Sequence, residues 1–454
     1  TADQAAVLYL GQIMEYLPAE KIFHPCHPYM VALSKSFPGM DAVRDLGGIR
    51  GDGFFRLLHT HSGREGKNHT HTISKRHYHD DGHGYEEGCL FEARCTQARN
   101  SCSQAAVSFT QNGQHRVRCC RGGIVQLLQL SGVSKSYSSV CALYPTDLHL
   151  FAGEVFCLVG ETGSGKSTLG MLAAASMDPD EGQRVFEDRD IKEWINDDYP
   201  SLASRIGVIN QNPGKAVSHR LNVFDIVAEP LVIQKRESRE ERKRKVIQAL
   251  EDVHLSTQEE FLKRYPHELN MGAVQRLCLA RALVHEPDLL IADEPTSALD
   301  PSVQAKVLKM LLNLQIEKGL TMLFITHDIG LARKIGDRIG IMLGGRIVES
   351  GPATDIFSHP AHPYTRLLLD SARGKVVWNS SSLTPVTRKE EACPFSNRCE
   401  HILTKCQESF PEMITVSHPH HRAACNCPTS HSNVDCINMN KQNKSISGIS
   451  GLRN

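Results

Sequence analysis

The stretch Gly160-Glu-Thr-Gly-Ser-Gly-Lys-Ser167 lies between an apolar run, residues 155–159, and a segment with the spacing of an amphipathic helix. Its glycines allow successive backbone N–H groups to point inward around phosphate groups. Lys166 would neutralise the charge of the β- and γ-phosphates, and the Ser167 hydroxyl would be a ligand of Mg²⁺. A strand, a glycine-rich turn and a helix in this order predict a phosphate-binding loop. The loop residues expected at the nucleotide are Gly160, Gly163, Ser164, Gly165, Lys166, Ser167 and Thr168.

Two adjacent carboxylates, Asp293 and Glu294, follow the apolar residues 289–292. Carboxylates at the end of a buried strand are costly unless a cation or a chemical step needs them. Asp293 would hold the magnesium ion directly or through water, and Glu294 would polarise the water that attacks the γ-phosphate. The alternative is that the pair only caps the helix expected after Pro295.

Two further polar residues close apolar runs: Gln211 comes after residues 206–209, and His327 comes after residues 322–325. The carboxyl ends of parallel strands meet at one ligand crevice. We therefore expect both side chains to reach the γ-phosphate, which makes Glu294, His327 and Gln211 the predicted catalytic residues.

Apolar runs alternate with amphipathic segments from Val125 to Arg373, which predicts an α/β fold with a mostly parallel sheet flanked by helices. The expected strands are residues 155–159, 206–209, 289–292, 322–325 and 339–343. Residues 223–253 are expected to be mainly helical, with a charged and solvated middle.

These motifs, together with Leu269-Asn-Met-Gly-Ala-Val-Gln-Arg276 and Ser297-Ala-Leu-Asp300, stand in an order that resembles the ABC ATPase family over residues 124–373. The resemblance implies a P-loop NTPase core of the RecA-like type, with a helical subdomain and an antiparallel β subdomain. It also implies that the chain binds ATP and Mg²⁺.

The same resemblance implies roles for single residues. Tyr137 would stack on adenine, Gln211 would link the nucleotide to a transport partner, and His327 would position the γ-phosphate and the attacking water. Residues 297–300 would form the D-loop, and Asp293 would act at the magnesium ion.

One motif departs from the family pattern, since the usual signature Leu-Ser-Gly-Gly-Gln is here Leu269-Asn270-Met271-Gly272-Ala273. In the family the serine and glycines contact ATP held on the opposite ATPase domain, and Met271 adds bulk where close backbone approach is needed. We expect the site completed by this signature to hydrolyse ATP poorly. The site on Lys166 and Glu294 would need a signature from a second ATPase domain, so the chain alone should be a weak ATPase.

The sequence also contains an internal repeat, which begins with Gly11-Gln-Ile-Met-Glu15 in one copy and Gly345-Arg-Ile-Val-Glu349 in the other. Further along, Pro18, Ile22-Phe23 and His27-Pro-Tyr29 correspond to Pro352, Ile356-Phe357 and His362-Pro-Tyr364. Because the second copy ends a long α/β segment, we expect the first to be the tail of an equivalent segment, as in a truncated tandem.

Each copy is followed by cysteines with the same first two spacings. They are Cys89, Cys95, Cys102 and Cys119 in the first copy, and Cys393, Cys399, Cys406 and Cys425 in the second. In a reducing compartment, which the absence of a signal pattern favours, clustered cysteines indicate metal or redox chemistry.

The motif Ile356-Phe-Ser-His-Pro-Ala-His-Pro-Tyr364, followed by Cys393-Pro-Phe-Ser-Asn-Arg-Cys399, resembles the ATPases of dipeptide and oligopeptide importers, a branch that includes nickel importers. In relatives with this pattern the four cysteines are similar to those that hold a [4Fe–4S] cluster. A zinc ion with four cysteine ligands is the alternative. Cys120 and Cys427 are neighbours that could substitute as ligands.

The remaining segments complete the expected organisation. Residues 1–44 would be the remnant of a first ATPase domain, 45–88 a histidine-rich linker, 89–120 the first cysteine region, 124–373 the ATPase domain, 374–427 the second cysteine region and 428–454 a disordered tail. The linker histidines are His59, His61, His69, His71, His77, His79 and His83. A solvated loop is favoured there over a metal site, although imidazoles bind nickel, zinc or copper.

Charge and hydropathy limit the kinds of partner that the sequence predicts. Lys and Arg number 51 and Asp and Glu number 51, so no global field favours nucleic acid as a partner. No apolar run approaches the roughly 18 residues of a spanning helix.

The resemblance therefore implies an ATP-hydrolysing subunit that powers an importer of di- or oligopeptides, or of nickel, from the cytoplasmic side of the cell membrane. Its partners would be a second ATPase domain, integral-membrane permease subunits that dock on residues 211–230, and indirectly an extracytoplasmic substrate-binding protein. The alternatives are a soluble tandem ATPase that remodels a cytosolic enzyme and a catalytically silent binding module.

Overall fold

The computed structural model describes residues 2–22, 25–36, 58–62, 68–72, 88–104, 106–297, 299–374, 391–416 and 420–427. The chain divides into two compact units. The first comprises residues 1–39, 46–125 and 313–319, and the second comprises residues 40–45, 126–312 and 320–454. The expected tail and the positions of His77, His79 and His83 lie outside the described residues.

The first unit is a small antiparallel sheet with short helices. Its elements are β1 (Gln4–Tyr9), β2 (Gln12–Pro18), α1 (Pro28–Ser36), β3 (Leu58–Ser62), β4 (Asn68–Thr72), α2 (Ser101–Gln104), β5 (Thr110–Asn112) and β6 (His115–Val117). Four of these strands form a sheet in the order β1-β2-β6-β5. Met14 and Phe91 are almost fully buried and pack with Cys89, Cys95 and Cys102 in one apolar cluster.

The histidine-rich segment contains an antiparallel hairpin of β3 and β4, so the expectation of a loop is wrong for these two stretches. Thr60 lies opposite Thr70 in the pairing. The β-branched threonines alternate with histidines, and such residues favour a pleated strand. Hydrophobic periodicity did not predict the hairpin because the alternation involves two polar residue types.

The second unit contains the α/β core. Its elements are β7 (Gln126–Tyr137), β8 (Val140–Phe151), β9 (Val155–Gly160), α3 (Lys166–Ala173), β10 (Glu181–Phe186), β11 (Arg189–Asp190), α4 (Ile191–Arg205), β12 (Ile206–Ile209), α5 (Pro213–Ala216), α6 (Val223–Gln234), α7 (Arg239–Asp252), α8 (Glu259–Leu262), α9 (Met271–Leu283), β13 (Leu289–Asp293), α10 (Pro301–Lys318), β14 (Thr321–Thr326), α11 (Ile329–Ile335), β15 (Arg338–Leu343), β16 (Arg346–Pro352), α12 (Ala353–Ser358), α13 (Pro363–Ala372), α14 (Thr404–Glu408), β17 (Ile414–Thr415) and β18 (Arg422–Ala423).

The core of this unit is an eight-stranded sheet in the order β12-β13-β14-β9-β15-β16-β18-β17. The strands from β12 to β15 in this order run parallel to one another. Every residue of β9 and β14 is buried, as expected for strands that helices cover on both faces. All five strands expected from the sequence are present, and the predicted α/β fold is confirmed.

A second, antiparallel sheet has the order β11-β10-β7-β8. Leu128 of β7 and Leu150 of β8 share one buried apolar cluster with Phe156 and Leu158 of β9, which fixes this sheet to the core. Helices α6 and α7 pack on α9 and form the helical region that the sequence predicted. Every helix in the described ranges falls short of the length and apolarity that a bilayer crossing demands.

The repeat has the same strand pairing in each unit. Strands β1 and β2 pair from Gln4 with Pro18, and β15 and β16 pair from Arg338 with Pro352. Each hairpin carries a bulge at the same position along its strand. Strand β6 then pairs with β2 as β18 pairs with β16, so the two copies share a local fold.

Candidate nucleotide site and cysteine sets

The phosphate loop lies at the carboxyl end of β9, and helix α3 begins directly after it at Lys166. Gly163 has a φ of 79° and Gly165 a φ of 95°, which is the left-handed region that favours glycine. A Cβ on Gly165 would collide with the carbonyl oxygen of Ala142. The loop therefore needs glycine for its backbone path as well as for its predicted contacts with phosphate.

The Lys166 ammonium is buried inside this loop. It donates to the carbonyl oxygens of Gly160 at 2.9 Å and Glu161 at 2.7 Å. Burial lowers the pKa of Lys166, and the carboxylates of Glu294, Asp293 and Glu161 act in the opposite direction. Lys166 thus lies where the predicted metal ligand and the predicted base concentrate negative charge.

Asp293 and Ser167, the predicted magnesium ligands, are brought together by β13 and α3. Burial raises the pKa of the Asp293 carboxyl, while a hydrogen bond from Ser167 lowers it. A hydroxyl and a carboxylate are oxygen donors of the kind that Mg²⁺ prefers. The two residues fit the magnesium of an MgATP substrate. Ser167 is exposed and Asp293 half-buried, whereas the neighbouring Ser164 and Thr168 are buried.

Glu294 is held between the other two predicted catalytic residues. Its Oε1 lies 2.9 Å from Nδ1 of His327, and its Oε2 accepts a hydrogen bond of 3.2 Å from Nε2 of Gln211. Its own φ is 45°, an unfavourable backbone conformation for a glutamate. Such strain persists where surrounding structure enforces it, often at active sites. The structure therefore assembles the set that the sequence predicted from three strand ends.

Tyr137, the predicted adenine contact, lies at the end of β7 with 42% of its surface exposed. Its hydroxyl donates to Sδ of Met177 at 3.2 Å, which orients the ring without covering it. An exposed, oriented aromatic ring is able to stack on a base.

The predicted D-loop follows Glu294 directly. Ser297 Oγ donates to the Glu294 carbonyl oxygen at 3.1 Å. Asp300 accepts hydrogen bonds from the backbone N–H groups of Ser302 and Val303 and so caps α10. Ala298 lies outside the described residues.

The altered signature begins helix α9. Asn270 is the N-cap residue and accepts a hydrogen bond of 2.8 Å from the Ala273 N–H. Asn270 therefore keeps the capping role that a serine also performs. Met271 is 51% exposed, so an apolar side chain lies at the helix start.

The four cysteines of each copy converge on one small pocket. In the first set, burial raises the pKa of Cys95 to about 12, and Cys119, Cys89 and Cys102 lie close enough to raise it further. The second set has the same design. Burial raises the pKa of Cys425 to about 12, and the neighbouring thiols of Cys399, Cys393 and Cys406 raise it further. The four cysteines of each set line one pocket, and thiolates are the ligands that iron–sulfur clusters and zinc take in proteins.

A buried carboxylate beside each cysteine set was not foreseen from the sequence. Glu15 accepts hydrogen bonds from the backbone N–H groups of Cys26 at 2.8 Å and His27 at 2.9 Å, and lies 2.7 Å from Nδ1 of His115. Glu349 accepts from Ala361 at 2.8 Å and His362 at 2.9 Å, and lies 2.8 Å from Nε2 of His421. Both glutamates and both histidines recur in the repeat, which was the available signal.

The thiol of Cys26 brings a third metal-binding group to the first carboxylate, because ligand atoms of Glu15, Cys26 and His115 lie within 4.8 Å of one another. In the second copy Ala361 stands at the position of Cys26, and the carboxylate–histidine contact is still present, through Nε2 of His421 instead of Nδ1. The contact therefore braces the chain without needing a metal ion.

Comparisons with known proteins agree with these observations. Residues 143–297 match the family model described as "ABC transporter", and residues 14–102 and 348–406 both match the model "Oligopeptide/dipeptide transporter, C-terminal region". The second match covers a segment in each copy of the repeat.

Curated relatives give the same result. The chain is 34% identical to the dipeptide transport ATP-binding protein DppF of Haemophilus influenzae, over 63% of this chain and 92% of that protein. It is 36% identical to the di/tripeptide transport ATP-binding protein DppF of Pseudomonas aeruginosa, over 62% and 89%. It is 39% identical to the oligopeptide transport ATP-binding protein OppF of Streptococcus mutans, over 54% and 81%. With its phosphate loop, paired carboxylates and repeated cysteine regions, the chain belongs to the ABC transporter ATP-binding proteins of the oligopeptide/dipeptide branch.

Proposed function

We propose that this chain binds and hydrolyses MgATP at Lys166, Asp293 and Glu294, and that hydrolysis powers the import of di- or oligopeptides. The observation that carries the proposal is the placement of the Glu294 carboxylate between His327 and Gln211. The relatives named as peptide transport ATP-binding proteins support the peptide class of cargo. They give no support to a cytosolic remodelling ATPase.

The chemical step follows from the positions of the side chains. When the triphosphate enters, Lys166 exchanges its two carbonyl contacts for the β- and γ-phosphates. Ser167 and Asp293 hold the magnesium ion. Glu294 accepts the proton of the attacking water, and His327 and Gln211 fix the direction of its carboxylate.

The altered signature determines which partner the site needs. The site that holds the γ-phosphate at Lys166 is completed by a signature from another ATPase domain. Met271 makes this chain's own signature a poor source of contacts for ATP bound on that partner. The assembly would have one working site from this chain. Permease subunits that dock on residues 211–230 would hold it at the cytoplasmic face of the membrane, where a substrate-binding protein acts on the far side.

The cysteine sets are proposed to bind a [4Fe–4S] cluster, with zinc as the competing occupant. Support comes from the four cysteines that line one pocket in each copy and from the raised pKa values of Cys95 and Cys425. A bound cluster would tie together the chain segments around the pocket through its four cysteine ligands. Iron, sulfide and zinc analysis of anaerobically purified protein decides between the two, and bound zinc without iron would overturn the cluster.

The nucleotide proposal is tested by steady-state ATPase activity with and without a co-expressed second ATPase subunit and permease subunits. Activity should require the complex and fall at least about 100-fold in Glu294→Gln, which still binds ATP. Glu260→Gln, at an exposed glutamate outside the site, is the matched control. Undiminished activity of Glu294→Gln in the complex would overturn the assignment.

A further inference from the structure

An ion pair joins the second cysteine region to the phosphate loop. Nη1 of Arg398 lies 3.0 Å from Oε1 of Glu161, although the two residues are 237 positions apart in the chain. Glu161 is the residue after Gly160 in the phosphate loop, and Arg398 directly precedes Cys399. The nucleotide site and the cysteine pocket are therefore in contact through charged side chains.

Aromatic packing holds Arg398 in place for this contact. The guanidinium carbon lies 5.3 Å from the ring centre of Phe395 and 5.8 Å from that of Tyr364. Both rings are buried and lie 5.6 Å apart. A planar guanidinium on aromatic rings loses little further freedom when it binds a carboxylate. The pair is thus preorganised, unlike an ion pair between two freely moving side chains.

The backbone around Arg398 is set by the cysteines. The Arg398 N–H donates to the Phe395 carbonyl at 2.9 Å, and the Ser396 N–H donates to the Cys393 carbonyl at 3.0 Å. The turn that carries Arg398 therefore begins at Cys393 and ends at Cys399. Arg398 is therefore separated from the sulfur of Cys399 by only a few covalent bonds.

Glu161 also acts at the nucleotide end. Its carbonyl oxygen accepts a hydrogen bond from Lys166, and its carboxylate is among the charges that influence this lysine. A carboxylate near a triphosphate repels it unless a cation neutralises the carboxylate. Arg398 supplies that cation.

We propose that Arg398 is a positioning residue for MgATP, which neutralises and orients Glu161 and so couples the second cysteine region to nucleotide affinity. The proposal rests on MgATP binding at Lys166. It adds a regulatory input that neither the ATPase motifs nor the cysteines carry alone.

The test is a double-mutant cycle on the Kd for a non-hydrolysable MgATP analogue, measured by calorimetry. Arg398→Gln should weaken binding about three- to fivefold, the effect of losing roughly 1 kcal/mol in a half-buried ion pair. Glu161→Gln should bind slightly more tightly, because the repelling carboxylate is gone. In that background Arg398→Gln should have little further effect. Arg398→Lys should restore part of the affinity.

Arg94→Gln is the matched control, because Arg94 precedes Cys95 as Arg398 precedes Cys399. It should leave the Kd unchanged. Melting curves confirm that each variant folds. If Arg398→Gln does not fold, the cycle is measured with Arg398→Lys in its place. Equal weakening by Arg398→Gln in the presence and absence of the Glu161 carboxylate would overturn the pair. Wild-type protein that binds no analogue would instead overturn the proposed function.

Coupling to the cysteines is tested by Cys399→Ser, which removes one sulfur beside Arg398. It should weaken binding of the analogue in the wild-type background and add nothing to Arg398→Gln. Additive losses, or no loss in the wild-type background, would show that the cysteine region does not act through the arginine.

Discussion

The two copies of the repeat share one backbone frame and differ in single side chains around it. Both have the same hairpin register, the same bulge and the same buried glutamate beside a histidine. They differ at single positions around that frame: Cys26 corresponds to Ala361, and Cys120 corresponds to Asn426. The agreement identifies the carboxylate as a structural element, and the differences show which side chains the shared fold does not require.

The largest effect should come from removing the carboxylate in either copy. Glu15→Ala or Glu349→Ala leaves two backbone N–H groups and a buried histidine without their acceptor, which should cost about 3 to 5 kcal/mol locally. Hydrogen exchange of the His27 and His362 amides measures this loss. Exposed Glu20→Ala, the control, should change protection by less than about 0.5 kcal/mol. A large loss of protection in only one copy would contradict the conclusion that the carboxylate has the same structural role in both.

The buried glutamate–histidine contact also shows how much of the structure could be predicted from the sequence. The parallel strands and the nucleotide motifs were predictable because apolar runs and strand ends are local patterns. The hydrogen bonds of Glu349 were not, because its partner His421 lies 72 residues away and no local rule pairs them. The Arg398–Glu161 ion pair was missed for the same reason. The β3–β4 hairpin was missed because its alternation is not hydrophobic.

A second, smaller effect is the dependence of local stability on pH, which should be equal in the two copies. Burial is the main cause that lowers the pKa of His27 and of His362, each to about 4. In each ring Nδ1 accepts a backbone hydrogen bond, from Tyr29 and from Tyr364, which requires an unprotonated nitrogen. Unfolded histidine has a pKa near 6.5. Below that pH the unfolded chain therefore binds more protons than the folded chain.

Local stability around each histidine should thus be complete above about pH 6.5, fall as the pH drops, and level off below about pH 4. The loss should reach about 3 kcal/mol per copy. Exchange protection corrected for intrinsic rates measures it. His27→Gln and His362→Gln should each flatten the profile in their own copy only. A profile that stays flat in wild-type protein would contradict the buried neutral state.

Gly11 and Gly345 lie at the same turn of the two copies but have different neighbouring atoms, so the same substitution should have unequal costs in stability. Gly11 has a φ of 79° and Gly345 a φ of 77°, so alanine is strained equally at both positions, at about 1 kcal/mol. A Cβ on Gly11 meets no atom within 4 Å, whereas one on Gly345 lies 3.0 Å from the Ala142 carbonyl oxygen. Gly345→Ala should therefore cost about 1 kcal/mol more than Gly11→Ala in denaturant unfolding. Equal costs would mean that the backbone near Ala142 yields freely.

Exchanging Cys120 and Asn426 should have the smallest effect on stability but should decide whether a disulfide can form in each copy. Cys120 Sγ lies 2.8 Å from Cys102 Sγ, whereas the Asn426 amide donates to Cys406 Sγ at 3.4 Å. Diamide, which accepts two electrons and two protons from a thiol pair, should therefore form a Cys102–Cys120 disulfide in metal-free protein. Cys120→Asn should abolish that bond in peptide mass maps and change stability by less than about 1 kcal/mol. Asn426→Cys should allow a disulfide between Cys406 and the introduced thiol in the second copy, because the surrounding backbone is the same. Failure of this exchange would mean that the copies differ in backbone as well as in side chains.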